Sequence, residues 1–96
     1  MPIQSFSDKD TEIFFISGDV GKGIGWASVS RIAKRRLDIL NYAFDLKDLK
    51  AIPGNRLEVL KGNLIGYYSM RINERWRIIF KWSKSGASNV SIIDYH

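Results

Sequence analysis

The chain ends in three consecutive side chains that can each exchange a proton: Asp94, Tyr95 and His96. Two arginines, Arg71 and Arg77, precede them. RNA carries its own nucleophile, the 2′-OH. Its cleavage therefore needs a base, an acid for the 5′-oxygen and a cation for the phosphorane. These residue types predict metal-free phosphodiester cleavage, with the two arginines as the cation pair and Lys61 as an assisting phosphate-binding cation.

Simpler interpretations remain open on spacing alone. The last three residues could be an unstructured chain end, since termini are often poorly ordered. Arg71 and Arg77 could form ion pairs with Glu58 and Glu74 and have no other role.

The sequence lacks the residues that several other chemistries require. One histidine, no cysteine and scattered carboxylates do not fill a zinc or copper site, so neither a metal nor another cofactor is predicted. The glycine-rich stretch 18–25 is not a phosphate-binding loop, because no Ser or Thr follows Lys22 and a helix precedes it. It predicts a surface connector between helices, in which Lys22 could still contact RNA.

Composition indicates one domain spanning residues 1–96. The chain is 45% hydrophobic and 26% charged, and it holds no apolar run long enough to span a membrane and no secretion signal. We expect a cytoplasmic protein without a membrane partner. Residues 51–96 carry seven basic and three acidic side chains, against eight and seven in residues 1–50. A basic C-terminal half fits a polyanionic partner or a merely solubilising charge.

The N-terminal half predicts two helices. An extended piece at 3–6, typical of an edge strand, precedes a short helix around 12–16, which has a weak capping signal at Ser7 and is predicted to end at Ser17-Gly18. A longer helix is predicted over 27–44, with a helical turn at 46–49 and an end at 53–55. Its basic outer face favours a solvated surface over nucleic-acid binding. Its apolar stripe consists of Val29, Ile32, Ala33, Leu37, Leu40, Ala43 and Phe44.

The C-terminal half predicts strands at 56–60, 67–73, 76–82 and 89–95, with a polar loop at 83–88. Alternation places Trp76, Ile78, Phe80 and Trp82 on one face, so both tryptophans are predicted in the core. The result is an α+β fold with two N-terminal helices on one face of a small, mostly antiparallel sheet of 4–5 strands. We predict that the other face presents Arg71, Arg77 and Lys81 to solvent as a phosphate-binding surface.

The chain resembles the HigB toxins, the host-inhibition-of-growth branch of the RelE/ParE superfamily, over nearly its whole length. The resemblance is carried by Leu60-Lys61-Gly62, Gly66-Tyr67-Tyr68-Ser69, Arg71-Ile72-Asn73, Trp76-Arg77-Ile78 with Phe80, and the closing Ile93-Asp94-Tyr95-His96. Ile3-Gln4-Ser5-Phe6 and Pro53-Gly54-Asn55-Arg56-Leu57 fit as well.

The resemblance implies a toxin of a type II toxin–antitoxin pair, with a RelE-like fold. Such toxins enter the ribosomal A site and cut the mRNA codon there. A HigA antitoxin with a helix-turn-helix silences them, and the complex binds operator DNA. By similarity, Asp94, Tyr95, His96 and Arg77 are the cleavage residues, and Lys61 belongs to the Leu-Lys-Gly turn.

One departure concerns Glu58, which stands where some relatives have a catalytic histidine. Either Glu58 acts as the base, or His96 and Asp94 carry proton transfer alone, with Arg71 as an added cation. Two other functions stay open: a ParE-like toxin that blocks DNA gyrase without nuclease activity, and a noncatalytic RNA-binding module. The terminal Asp-Tyr-His argues against the gyrase alternative, because a gyrase binder has no evident need for those groups.

Overall fold

The computed structural model describes residues 2–95, which form a sheet with helices on one face. Helix α1 is Lys9–Ser17, α2 is Ser30–Tyr42 and α3 is Leu46–Ala51. Strands β1 (Glu58–Val59), β2 (Tyr68–Arg71), β3 (Trp76–Ser83) and β4 (Gly86–Asp94) pair antiparallel in the order β1-β2-β3-β4. The predicted α+β architecture is confirmed. No helix in this part of the chain is long and apolar enough to cross a membrane.

The first helix begins earlier than predicted, at Lys9. Its cap is Asp8 and not Ser7, because the Asp8 carboxylate accepts hydrogen bonds from the backbone N–H and the hydroxyl of Thr11. The helix ends at Gly18, as predicted; with φ at +83°, this residue adopts the left-handed conformation that glycine tolerates.

The second helix starts later than predicted, since 27–29 form a single 3-10 turn before α2. Ala33, Leu37 and Leu40 are fully buried against the sheet. Burying each leucine contributes roughly 1.5–3 kcal/mol. Two members of the predicted stripe are exposed: Ile32 at 40% and Phe44 at 77%. Phe44 points outward because Ala43 already has extended backbone angles and ends the helix.

All four strands differ from their predicted bounds: β2 is shorter at both ends, β3 is one residue longer, and the largest differences are at β1 and β4. Strand β1 is only two residues long, since Arg56 has a positive φ that interrupts extended backbone. Strand β4 begins at Gly86, three residues early, so the predicted polar loop at 83–88 is wrong. The sequence pattern did not reveal the early start of β4, because Asn89 has a positive φ and forms a bulge at which β3–β4 pairing shifts by one residue.

At this bulge the predicted edge segment reaches the sheet. Phe6 forms one parallel bridge with Val90, and Asn89 N donates to Ser5 Oγ. The face of the sheet toward the helices is apolar. Trp76 and Trp82 lie on that face and pack against the core, as predicted. Its buried residues are Met70, Ile72, Ile78, Phe80, Ala87, Val90 and Ile92.

Candidate functional site

The strand register places Arg71 directly opposite Arg77. Both side chains lie on the side of the sheet away from the helices, because side chains alternate along a strand. We call this side, which also carries Lys81, the arginine face. Like charges directly opposite one another destabilise a sheet unless an anion lies nearby. The register therefore concentrates positive charge where an anion would relieve it.

Each arginine has one carboxylate within ion-pair distance. Arg77 NH1 lies 3.4 Å from Glu58 Oε1, and Arg71 NH2 lies 3.8 Å from Glu74 Oε1. The pairing considered as an alternative from the sequence is thus present. Both contacts are longer than the 2.7–2.9 Å typical of charge-assisted hydrogen bonds. The Glu58 and Glu74 side chains are 53% and 94% exposed, so either could give way to a stronger anion.

The arginine face is more enclosed than predicted. The Arg77 and Arg71 side chains are only 14% and 25% exposed, and Ser69 and Ile79 are buried. The prediction of a face open to solvent is wrong for these residues and holds for Lys81. Other atoms of the chain therefore cover most of the surface of these side chains.

Aromatic rings contribute to that cover. The Tyr95 ring lies 5.4 Å from the Arg77 guanidinium, and the Tyr67 ring lies 5.2 Å from Lys81 Nζ. Both distances are within the range of a cation–π contact. Tyr95 keeps this position because its backbone N–H donates to Arg75 O and continues the pairing beyond β4. Tyr95 therefore shares a surface with Arg77.

The predicted proton-transfer residues are not all on this face. Asp94 pairs with Trp76 in the register and lies on the opposite side of the sheet from Tyr95. Its carboxylate accepts from Arg75 Nε and lies 2.8 Å from Arg75 NH2. That hydrogen bond and the carboxylate charge raise the pKa of Arg75. His96 lies outside the described residues. Catalytic roles for Asp94 and His96 stay predictions.

Two further predicted cations lie in separate loops. Lys61 is exposed and immediately precedes the 3-10 turn Gly62–Leu64 between β1 and β2. Lys22 is exposed in the connector between α1 and α2, as predicted for that segment. The connector meets the helix-covered side of the sheet, since Gly25 packs against Trp76. Lys22 is therefore not part of the arginine face.

Asn55 is a positioning residue that the sequence did not reveal. It is fully buried, donates to Leu49 O and accepts from Arg36 NH1 at 2.7 Å. Its own carbonyl accepts from Arg71 N at 2.7 Å, so it ties both helical elements to the strand that carries Arg71. Burial, followed by the charge of Arg35, lowers the pKa of Arg36. The sequence signalled only a turn, because nothing in Pro53-Gly54-Asn55 distinguishes a buried asparagine from an exposed one.

Within residues 2–95, no three histidine or carboxylate side chains lie close enough together to hold a metal ion. What the arginine face offers is a pair of enclosed guanidiniums, two replaceable carboxylates and a phenol. Such a set can bind an anion and exchange a proton beside it.

Comparison with solved structures shows a shared fold. A YoeB–YefM complex from Staphylococcus aureus contains a chain that superposes with a TM-score of 0.57 at 22% identity, covering 100% of this chain and 97% of that one. A YoeB/ParE toxin from Agrobacterium tumefaciens gives a TM-score of 0.55 at 20% identity, with full coverage of both chains.

Sequence relatives extend the likeness beyond the fold. Toxin HigB-1 of Vibrio cholerae is 38% identical over 91 residues, which cover 95% of this chain and 94% of that protein. Endoribonuclease HigB of Proteus vulgaris is 32% identical over 94 residues, covering 98% and 99%. The family profile described as "RelE-like toxin of type II toxin-antitoxin system HigB" matches residues 4–96. The chain therefore belongs to the HigB-like toxins of type II toxin–antitoxin systems, the family that its sequence motifs resemble.

Proposed function

We propose that this protein is a ribosome-dependent endoribonuclease that cuts mRNA codons in the ribosomal A site and so arrests translation and growth. It acts in the cytoplasm and is silenced by a HigA antitoxin with a helix-turn-helix, and the complex binds operator DNA. Support comes from the family and from a relative named an endoribonuclease. An antitoxin partner is supported by a neighbour of the same fold solved in a YoeB–YefM complex.

The observation that carries the proposal is the contact between Tyr95 and Arg77. It puts a group that can exchange a proton beside an enclosed cation, on the face where Arg71 adds a second positive charge. Phosphodiester cleavage through a phosphorane needs both in one place, because charge develops on the phosphate oxygens as protons move at the attacking and leaving oxygens.

The proposed reaction uses the substrate's own 2′-OH. The 2′-oxygen bonds to phosphorus while a base takes its proton, and the bond from phosphorus to the 5′-oxygen breaks as an acid protonates that oxygen. The products carry a 2′,3′-cyclic phosphate and a 5′-OH. Arg77 neutralises the phosphorane. Tyr95 and Glu58 contact Arg77 and are the first candidates for the base and the acid. His96 and Asp94 complete the set proposed from the sequence, with Asp94 on the opposite side of the sheet.

We infer that cleavage depends on the ribosome because the arginine face is small. Lys81 and Arg71, with Lys61 in the neighbouring loop and Lys22 in the connector, can attract phosphates and release counterions. They offer little to hold the attacking and leaving oxygens in line. A bound codon in the A site is already oriented, and orientation is a large part of the barrier.

Toeprinting with purified ribosomes tests this function. We expect reverse transcription on a programmed ribosome to stop inside the A-site codon when the protein is added, and free mRNA to be cut poorly. Intact mRNA on the ribosome in excess protein would contradict the proposal. Toxicity that survives in both Tyr95→Ala and His96→Ala variants would instead favour gyrase inhibition.

A further inference from the structure

Two polar atoms on the arginine face are buried without a hydrogen-bond partner among the described residues: Ser69 Oγ and Arg77 Nε. Ser69 is fully buried. The great majority of buried polar atoms in folded proteins are hydrogen-bonded, so each exception calls for an explanation. Both of these atoms can donate a hydrogen bond, and an acceptor from outside the chain would satisfy them.

The strand register makes these two residues neighbours. Ser69 pairs with Ile79 on β3, and Arg77 lies two residues before Ile79 on the same face. Diagonal partners of this kind lie about 7–8 Å apart, within reach of a long side chain. A single small anion can therefore accept from both.

Glu58 lies at the entrance to this pair. It is directly opposite Ser69 across β1 and β2, and its Oε1 is the atom that Arg77 NH1 contacts at 3.4 Å. The carboxylate therefore already brings an anionic oxygen to Arg77. It is about half exposed and sits on a two-residue edge strand, so it can move outward without breaking the central sheet.

We propose that Ser69 is a further phosphate-binding residue, and that Ser69 and Arg77 form a cradle for one RNA phosphate in which the Glu58 carboxylate is a placeholder. The inference rests on the proposed RNA substrate. When RNA binds, a phosphate oxygen displaces the carboxylate from Arg77, and Ser69 Oγ and Arg77 Nε donate to the phosphate. Donation from a guanidinium to phosphate is stronger than the long contact it replaces.

A competing explanation is that Ser69 only fills space under longer side chains. The sequence offers a matched control for this alternative. Ser91 is also a nearly buried serine on the arginine face, in the same cross-strand row, opposite Ile79 on its other side. A space-filling role predicts the same result for both serines, whereas the cradle singles out Ser69.

The test uses a 2′-O-methyl RNA trinucleotide, which has internal phosphates and no 2′-OH and so cannot be cleaved by the proposed route. Its binding to the full chain is followed by the NMR signal of Arg77 Nε–H, assigned with Arg77→Lys. We expect this signal to shift on titration. Ser69→Ala should weaken binding about tenfold, as for loss of a hydrogen bond to a charged group, and Ser91→Ala should not.

Glu58 is tested against a second acidic residue of the same kind. Glu58→Gln should tighten trinucleotide binding severalfold, because the placeholder no longer competes. Glu74→Gln removes the same charge beside Arg71 and should change binding less. Equal tightening in both variants would mean that only net charge matters, and it would overturn the placeholder role of Glu58.

Two other results would overturn the cradle: an Arg77 Nε–H signal that does not move in the wild-type protein, or equal affinity in Ser69→Ala and Ser91→Ala. The wild-type signal decides the matter even if Ser69→Ala fails to fold. Because the probe needs neither ribosome nor cleavage, failure of the cradle is separate from failure of the nuclease. If toeprinting shows cleavage in the A-site codon but the Arg77 Nε–H signal does not shift, the cradle alone is rejected.

Discussion

Arg77 has three neighbours of different kinds. The Glu58 carboxylate lies 3.4 Å away, the Tyr95 ring lies 5.4 Å away, and Arg71 is directly opposite on β2. A guanidinium held this way is 14% exposed and yet can exchange its anion, because its one carboxylate partner is distant and half exposed. A single substitution of Arg77 therefore tests the proposed cleavage chemistry.

Arg77→Ala should lower the single-turnover rate of A-site cleavage roughly 100- to 1,000-fold, the usual cost of removing one donor from an oxyanion site. The control is Lys84→Ala, which removes a cation from the exposed β3–β4 turn of the same sheet. It should cleave like the wild type. Equal rates in the two variants would show that Arg77 contributes only general positive charge.

Tyr95 can be tested for proton transfer apart from its contact with Arg77. Tyr95→Phe keeps the ring over the guanidinium and removes the hydroxyl. We expect about 100-fold slower cleavage, at the lower end of the range for a lost acid or base, with the melting temperature unchanged. Rapid-quench cleavage on programmed ribosomes measures the rate. A Tyr95→Phe protein as fast as the wild type would leave proton transfer to other groups.

The glycine-rich connector between α1 and α2 packs closely against the sheet. Gly25 lies against Trp76, at the start of the strand that carries Arg77. A Cβ atom at Gly25 would lie 2.7 Å from two atoms of the tryptophan ring, closer than packed carbon atoms allow. The connector therefore needs glycine at this position because of space, and no anion has to be invoked.

Gly25→Ala should destabilise the fold by about 1–3 kcal/mol, the range for inserting a methyl group into a packed site. Gly21→Ala is the matched control, since its Cβ would meet Ile24 at an ordinary 3.6 Å. Urea denaturation should show a lower midpoint for Gly25→Ala only, with the same slope. A midpoint equal to that of Gly21→Ala would mean that the ring moves aside freely.

Sequence periodicity predicted the two main helices, the mostly antiparallel sheet and the opposite faces of β3, because burial on one side imposes alternation on a strand. It missed features that depend on a single backbone angle. Arg56 and Asn89 adopt positive φ, which shortens β1 and places the bulge in β4, and neither residue announces this in the sequence. It also did not show that Ser69 and Ile79 are buried, because alternation assigns a residue to a face of the sheet but does not determine how far neighbouring side chains cover that face.

For the whole molecule, the topology gathers residues that are far apart in the chain. Glu58, Arg71, Arg77 and Tyr95 come from three strands and the chain end, and antiparallel pairing brings them to one face. The sequence predicted site roles for all four, with Arg71, Arg77 and Tyr95 in the family motifs and Glu58 as a possible base where some relatives have a histidine. Alternation along the predicted strand 89–95 places Asp94 and Tyr95 on opposite sides of the sheet, but the family resemblance assigned both of them to cleavage and so did not separate them.

We propose that the arginine face cleaves mRNA through the substrate's own 2′-OH. The most direct measurement compares two mRNAs on purified ribosomes, identical except for a 2′-deoxy sugar at the scissile nucleotide of the A-site codon, with product ends identified by mass spectrometry. We expect a 2′,3′-cyclic phosphate from the all-RNA message and no cleavage after the deoxy sugar. Cleavage of the deoxy message at the same bond, or of neither message, would contradict it.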